Sequence, residues 1–203
     1  MSLPLTSAVY DWLGADIPTR HKRTVYFNHE HFHIVLTDQP ALPDTFRRHT
    51  CPTVKATAFA IKEMVVRGAP AIGVTGAYGM VLAAHESTNM NDLIQHKAML
   101  DKARPTAVNL TWATTRMLEF TKQIIAAQQQ QSNNTNTKQS ISSLVPRLLE
   151  EAERLADEDI EINLRMAKVG STVVPIFQDR PTNISHRCNT GALATVDWGT
   201  VVQ

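Results

Sequence analysis

Apolar residues recur along this chain at strand spacing near its start and at helical spacing through most of the remainder. Val25, Tyr26, Phe27, Phe32, Ile34, Val35 and Leu36 alternate loosely and predict one or two short strands over residues 24–36. Asp38-Gln39-Pro40-Ala41-Leu42-Pro43 ends them in a proline-punctuated turn. Thr53 is placed to cap a helix over 54–65, with Val54, Ala58, Ile61, Met64 and Val65 on one face. A second helix is predicted from Pro70 to about His85, because proline suits a first turn where a missing N–H costs nothing. Gly73, Gly76 and Gly79 recur on it every third residue, against helix propensity. That spacing predicts the close approach of another backbone.

Asn91-Asp92 open a third helix that must stop before Arg104-Pro105, since the residue before a proline is driven out of the helical region. Thr106 is placed to cap a fourth helix running to about Ala127. Residues 128–140, QQQQSNNTNTKQS, have no apolar surface to bury and predict a loop or disordered insertion. A long helix is predicted over about 144–168, with Leu144, Leu148, Ala152, Leu155 and Ala156 inward and an acidic outer face. Residues 172–177 and 182–187 read as extended, and a helix is expected after Gly191.

Composition narrows the class. The 203 residues suffice for one ordinary domain or two small ones, and 43% apolar content is normal for a globular core. A net charge of +1 with interspersed signs argues against a nucleic-acid stripe or a polybasic membrane patch. No run approaches the length of a membrane span. Asp11, Asp16 and Pro18 interrupt the first twenty residues, so no signal peptide is read there. Cys51 and Cys188 stand far apart and make no disulfide framework. The default is a reducing compartment in which a lone thiol is free to react.

Three segments carry candidate chemistry. In Val66-Arg67-Gly68-Ala69-Pro70-Ala71-Ile72-Gly73, a guanidinium with paired donors stands just before a helix N-terminus whose N–H groups attract anions. Arg67, Gly68 and Ala69 read either as a phosphate site or as a surface arginine beside a tight turn. Arg104 is a second candidate phosphate ligand, or a helix-end cation serving carbonyls and the macrodipole. Cys188, followed by Asn189-Thr190-Gly191, is placed at a strand end before a helix. There its thiolate would be stabilised for acid, base or nucleophilic work; the alternative is a buried, inert thiol. His29, His31 and His33 would share one face of a strand, as a metal edge without an evident further ligand or as an exposed face.

Together VRGAPAIG, RPTAVNL over 104–110 and CNTGALAT over 188–195 resemble the methylthioribose-1-phosphate isomerase family of methionine salvage. That family is grouped with the alpha, beta and delta subunits of the exchange factor for translation initiation factor 2. Asp38-Gln39 with Leu42-Pro43, and Asp159 with Asn163, also look like family positions. The resemblance implies an α/β fold with an α+β N-terminal part: a small, mostly helical N-terminal domain with a few strands, then the incomplete start of a Rossmann-like domain. The expected division is residues 1–127, a polar insertion at 128–143, and residues 144–203.

The implied reaction is the aldose–ketose isomerisation of 5-methylthioribose 1-phosphate. Arg67, Gly68, Ala69 and Arg104 would bind substrate, chiefly its phosphate, and Cys188 would be the catalytic cysteine. No metal or organic cofactor is implied. A sugar phosphate is the implied partner, with homodimers usual in the family and neither nucleic acid nor membrane involved. A cytoplasmic protein is expected, or a nuclear one in a eukaryote. The family's catalytic aspartate lies beyond the cysteine and outside this chain, so the isolated polypeptide is expected to be inactive or nearly so, with the apolar sides of the long helix and of residues 172–187 short of cover. Val196-Asp197-Trp198-Gly199 replaces the usual run after ALAT, so Asp197 is no substitute for that aspartate. The rivals are a non-catalytic assembly module like the exchange-factor subunits, and a ribose-1,5-bisphosphate isomerase.

Overall fold

A computed structural model describes residues 23–131, 140–187 and 189–199. It is a mixed helical fold with one small sheet. Strands β1 (Val25–Asn28), β2 (His33–Thr37) and β3 (Arg48–Cys51) form an antiparallel sheet in the order β1-β2-β3. Phe27 pairs with Ile34, which pairs in turn with Cys51, so a row of buried side chains crosses the sheet towards the helices. On the outer side the Arg48 guanidinium lies 5.7 Å from the Tyr26 ring centroid and 5.0 Å from that of Phe46.

Five helices come after the sheet: α1 (Val54–Lys62), α2 (Ala69–Glu86), α3 (Met90–Ala103), α4 (Val108–Gln131) and α5 (Val145–Val173). Their starts are chemically explicit. Thr53 Oγ1 accepts from the Ala56 N–H at 3.1 Å, and Glu86, at the end of α2, accepts from the Val54 N–H at 2.8 Å. The Asn89 side chain caps α3 through the Asn91 and Asp92 N–H groups, while Asp92 reaches back to the Thr88 N–H at 3.0 Å.

Helix α2 is the centre of the molecule. Every residue from Ala71 to Ala84 is buried, so no amphipathic face exists. The sheet and the other four helices pack around it. Burying side chains such as Ile72, Met80 and Leu82 contributes about 1.5–3 kcal/mol each. The glycine spacing does what it predicts at Gly73, where a Cβ would stand 3.1 Å from the Asn109 carbonyl oxygen on the backbone of α4. At Gly76 and Gly79 the close neighbours are side chains instead, Leu110 and Leu100. Gly73 faces Asn109 and Gly76 faces Leu110 and Thr114, so α2 and α4 run in the same direction with their N-termini at one end.

Several expectations are corrected. Strand β3 is an addition: Arg48, His49 and Thr50 carry no apolar alternation, and only Cys51 is buried. Helix α1 ends three residues before 65. Helix α4 starts two residues beyond Thr106, after a turn closed by the Ala107 N–H on the Arg104 carbonyl at 3.0 Å. It also runs on through Gln128–Gln131, where glutamine is a good helix former. The rest of the insertion, residues 132–139, lies outside the described residues. Ile141 and Leu144, in a 3-10 turn, join the core. Helix α5 carries Thr172 and Val173, and neither 174–177 nor 182–187 forms a strand. After Gly191, among the described residues, a 3-10 turn, Ala192–Ala194, forms in place of the expected helix. The far end of α5 exposes Ile162, Met166, Val169 and Val173, the last at 75%. Among the described residues no helix is long and apolar enough to cross a membrane.

Candidate functional site

Two helix N-termini and a returning segment meet at one end of the fold. Gly68 is the N-cap of α2, with φ +90° and ψ 133°, a conformation that disfavours side chains. No side chain caps this helix, and Pro70 has no N–H, so the Ala69 and Ala71 N–H groups have no acceptor within the helix. Arg67 is half-buried, and its Nε donates to the Met64 carbonyl over a long 3.4 Å. Arg104 closes α3 with its own N–H on the Asp101 carbonyl at 3.3 Å and stands four residues before the parallel α4. Neither guanidinium is ion-paired among the described residues. Arginines that stand before two parallel helix N-termini make that end of the molecule attractive to an anion.

Gly68 also has a second task. An added Cβ would lie 2.3 Å from both the Cα and the carbonyl oxygen of Ala194. The segment Gly191–Trp198 therefore rests directly on the N-cap of α2, with Ala194 and Val196 buried. Cys188, three positions before Gly191 in sequence, lies outside the described residues.

Polar groups from three elements hold this segment. Thr24 Oγ1 donates to the Ala192 carbonyl at 2.9 Å, and the Thr24 N–H to the Val196 carbonyl at 2.8 Å. Gln39 Nε2 donates to the Leu193 carbonyl at 2.7 Å. The Val196 N–H donates to Asp159 Oδ2 at 2.8 Å, and Thr195 Oγ1 folds onto the Trp198 carbonyl at 2.6 Å. Burial pushes the Asp159 carboxyl above its ordinary value; hydrogen bonds from Val196 and Asn163 oppose this without cancelling it.

Beside the N-cap, a cleft of about 280 Å³ runs between α2, α4 and α5, lined by Pro70, Gly73, Asn109, Trp112, Asp159 and Asn163 among others. Asn163 is 2% exposed; its amide nitrogen donates to the Asp159 carbonyl at 2.8 Å, while its Oδ1 has no partner. Next to it, Arg116 holds Glu158 bidentately at 2.8 and 3.0 Å and Glu151 at 2.9 Å. The Glu158 carboxyl is held below its ordinary value chiefly by the hydrogen bond from Arg116.

The remaining candidates fall elsewhere. Cys51 is fully buried in β3, and burial pushes its thiol up to about 12, which corrects the expectation of a freely reactive lone thiol at this position. His29 and His31 sit in the hairpin turn and only His33 opens β2, so the three do not line one strand. The His31 and His33 rings stack at 5.8 Å, while His29 Nε2 meets Glu153 at 3.1 Å beside the Tyr78 hydroxyl. Sequence reasoning marked Gln39, Asp159 and Asn163 as resembling family positions but assigned them no role. The available signal was a polar pair, Asp159 and Asn163, beside the inward apolar stripe of α5.

A largely helical domain with a three-stranded sheet, an uncapped central helix and a segment returning onto its N-cap places this chain in the α/β class. The chain belongs to the initiation factor 2 subunit family, whose model matches residues 65–197. It is 41% identical over 181 residues to a methylthioribose-1-phosphate isomerase of Caldanaerobacter subterraneus subsp. tengcongensis, covering 83% of this chain and 46% of the relative. It is 43% identical over 176 residues to the same-named protein of Petrotoga mobilis, with the same coverage. Among solved structures it resembles 5-methylthioribose 1-phosphate isomerase from Pyrococcus horikoshii OT3, with a TM-score of 0.72, 30% identity, and 98% and 50% of the two chains covered. It also resembles the delta subunit of translation initiation factor eIF-2B from A. fulgidus, with a TM-score of 0.64, 32% identity, and 87% and 48% covered. The chain spans about half the length of the curated relatives it matches.

Proposed function

We propose that the protein carrying this chain is an aldose–ketose isomerase converting 5-methylthioribose 1-phosphate to 5-methylthioribulose 1-phosphate in methionine salvage. In that reaction the ring C1–O4 bond opens, a hydrogen moves from C2 to C1, the C2 hydroxyl loses its proton and becomes a carbonyl, and O4 takes up a proton as a hydroxyl. Arg67, Arg104 and the backbone around Gly68 and Ala69 take the phosphate. Cys188 is a proton-transfer partner. The observation that carries the reading is the meeting of Arg67-Gly68-Ala69 with the 191–198 segment, which holds the end of CNTGALAT, on one uncapped helix end beside the start of α4. The likeness to isomerases of known name supports the substrate. Homodimers are usual in the family, and we extend that state to this protein.

The test is isothermal titration of the purified chain with 5-methylthioribose 1-phosphate, ribose 1,5-bisphosphate and inorganic phosphate. We expect saturable binding of the first sugar phosphate, weakened about 10–100-fold by Arg67→Ala or Arg104→Ala, the equivalent of one charged hydrogen bond. Any turnover should be lost in Cys188→Ser. A folded chain that binds no sugar phosphate, or prefers the bisphosphate, refutes the reading. In the first case the alternative is a non-catalytic assembly module like the exchange-factor subunits.

A further inference from the structure

We propose that Asp159 and Gln39 are positioning residues that clamp the Gly191–Trp198 segment onto the N-cap of α2, so that the phosphate-facing helix end and the chain leaving Cys188 are held as one unit. The proposal rests on the isomerase reading for its functional consequence, but the clamp itself stands on geometry. Gln39 comes from the turn after β2 and Asp159 from the middle of α5. Each makes one bond to the returning backbone, at 2.7 Å to the Leu193 carbonyl and at 2.8 Å from the Val196 N–H. The two bonds flank Ala194, the residue pressed on Gly68.

The segment has little regular structure to hold it. Its single 3-10 turn satisfies the Ala194 and Thr195 N–H groups internally, on Gly191 and Ala192. Bonds from Thr24, Gln39 and Asp159 tie it to the rest of the molecule among the described residues. Asp159 is fixed in turn from within α5, where the Asn163 amide donates to both its carbonyl and its Oδ1, at 2.8 and 3.2 Å. The otherwise odd placement of two polar residues beside an apolar helix stripe is thereby explained. Asp159 also lines the cleft that opens beside Pro70 and Gly73, so the residue that holds the clamped backbone through Oδ2 borders the candidate ligand space as well.

Amide hydrogen exchange on the purified chain tests this, with Asp159→Ala, Asp159→Asn and Gln39→Ala beside the native protein. Exchange across 192–198 should rise about tenfold or more in Asp159→Ala and Gln39→Ala, with α2 and the sheet unchanged. Asp159→Asn should stay closer to native than Asp159→Ala, because its amide oxygen can still accept from Val196, although it gives up the weaker 3.2 Å bond from the Asn163 amide. Affinity for 5-methylthioribose 1-phosphate should fall in the two alanine variants and recover in Asp159→Asn, although Arg67 and Arg104 are untouched. If Asp159→Ala does not fold, Gln39→Ala carries the same test. Loosened exchange in a protein that binds no sugar phosphate upholds the clamp and overturns the isomerase reading. Native exchange and native affinity in both alanine variants overturn the clamp alone.

Discussion

Replacing Gly68 by alanine should be among the most damaging single-methyl additions in this fold. The backbone there, at φ +90°, is one that L-residues adopt only under strain of about 1–3 kcal/mol. The new Cβ would also fall 2.3 Å from the Cα and carbonyl oxygen of Ala194, and these are backbone atoms with no rotamer to change. Two responses are open. Either the clash is absorbed in place at an overpacking cost of about 1–3 kcal/mol, or the 191–198 segment lifts away. Lifting forfeits the bonds from Thr24, Gln39 and Asp159, each worth about 0.5–1.5 kcal/mol net. With the backbone strain included, the first route costs about 2–6 kcal/mol and the second about 2.5–7.5 kcal/mol, against a total stability of about 5–15 kcal/mol for an ordinary domain.

Urea denaturation followed by tryptophan emission measures this, since Trp112 and Trp198 report on the cleft and on the returning segment. Gly76→Ala is the control. Its Cβ would meet Leu110 Cδ1 at 2.5 Å, but that atom ends a flexible side chain, and alanine recovers about 1 kcal/mol of helix propensity. The control should therefore stay within about 1 kcal/mol of native. A Gly68→Ala protein within about 0.5 kcal/mol of native, with 192–198 still protected from exchange, would refute the reasoning.

Asp159 and its neighbour Glu158 should titrate with opposite effects on stability. The Asp159 carboxyl is raised in the fold, so its contribution is fully present below the unfolded range near 3.8 and is lost as pH climbs through the higher folded value. Asp159→Asn should accordingly gain in Tm relative to native between about pH 4 and pH 7, and a flat difference would count against it. The Glu158 carboxyl is lowered, so its contribution is present above 4.5 and fades as pH falls through the folded value. Arg116→Ala should cost about 1–3 kcal/mol in urea, because the nearly buried Glu151 loses one of its two arginines; a change under about 0.5 kcal/mol would contradict this. In a Cys188→Ser protein, native Cys51 should give under about a tenth of its thiol titre with a disulfide reagent and react fully in denaturant; prompt native labelling would contradict its burial.

The helices were legible where local chemistry and burial agree. Thr53, Pro70 and the apolar face of α5 each announced an element that formed within a few residues of its expected bounds. Edge strand β3 was not legible, because Arg48 and His49 serve the sheet through ring contacts and backbone pairing rather than through apolar alternation. The extended reading of 172–173 failed because β-branched residues at the end of a long helix cost too little to stop it. Of the candidate site, the anion chemistry of Arg67-Gly68-Ala69 was visible in sequence. The clamp was not, since Gln39 and Leu193, 154 positions apart, become neighbours only after the chain has folded back on itself.

The glycines of α2 carry a consequence for how this sequence can drift over generations. A helix enclosed on every side has no solvent face on which neutral change can accumulate. A residue larger than alanine at position 76 is tolerable only in a lineage that has already trimmed Leu110 or Thr114, and one at position 79 only after Leu100 or Thr57 has shrunk. Position 73 has no such partner to trade with, because what it faces is the carbonyl of Asn109 and not the end of a side chain. Paired substitutions should thus appear among homologues at 76 with 110 and at 79 with 100, while 73 stays fixed as long as α2 and α4 keep their spacing.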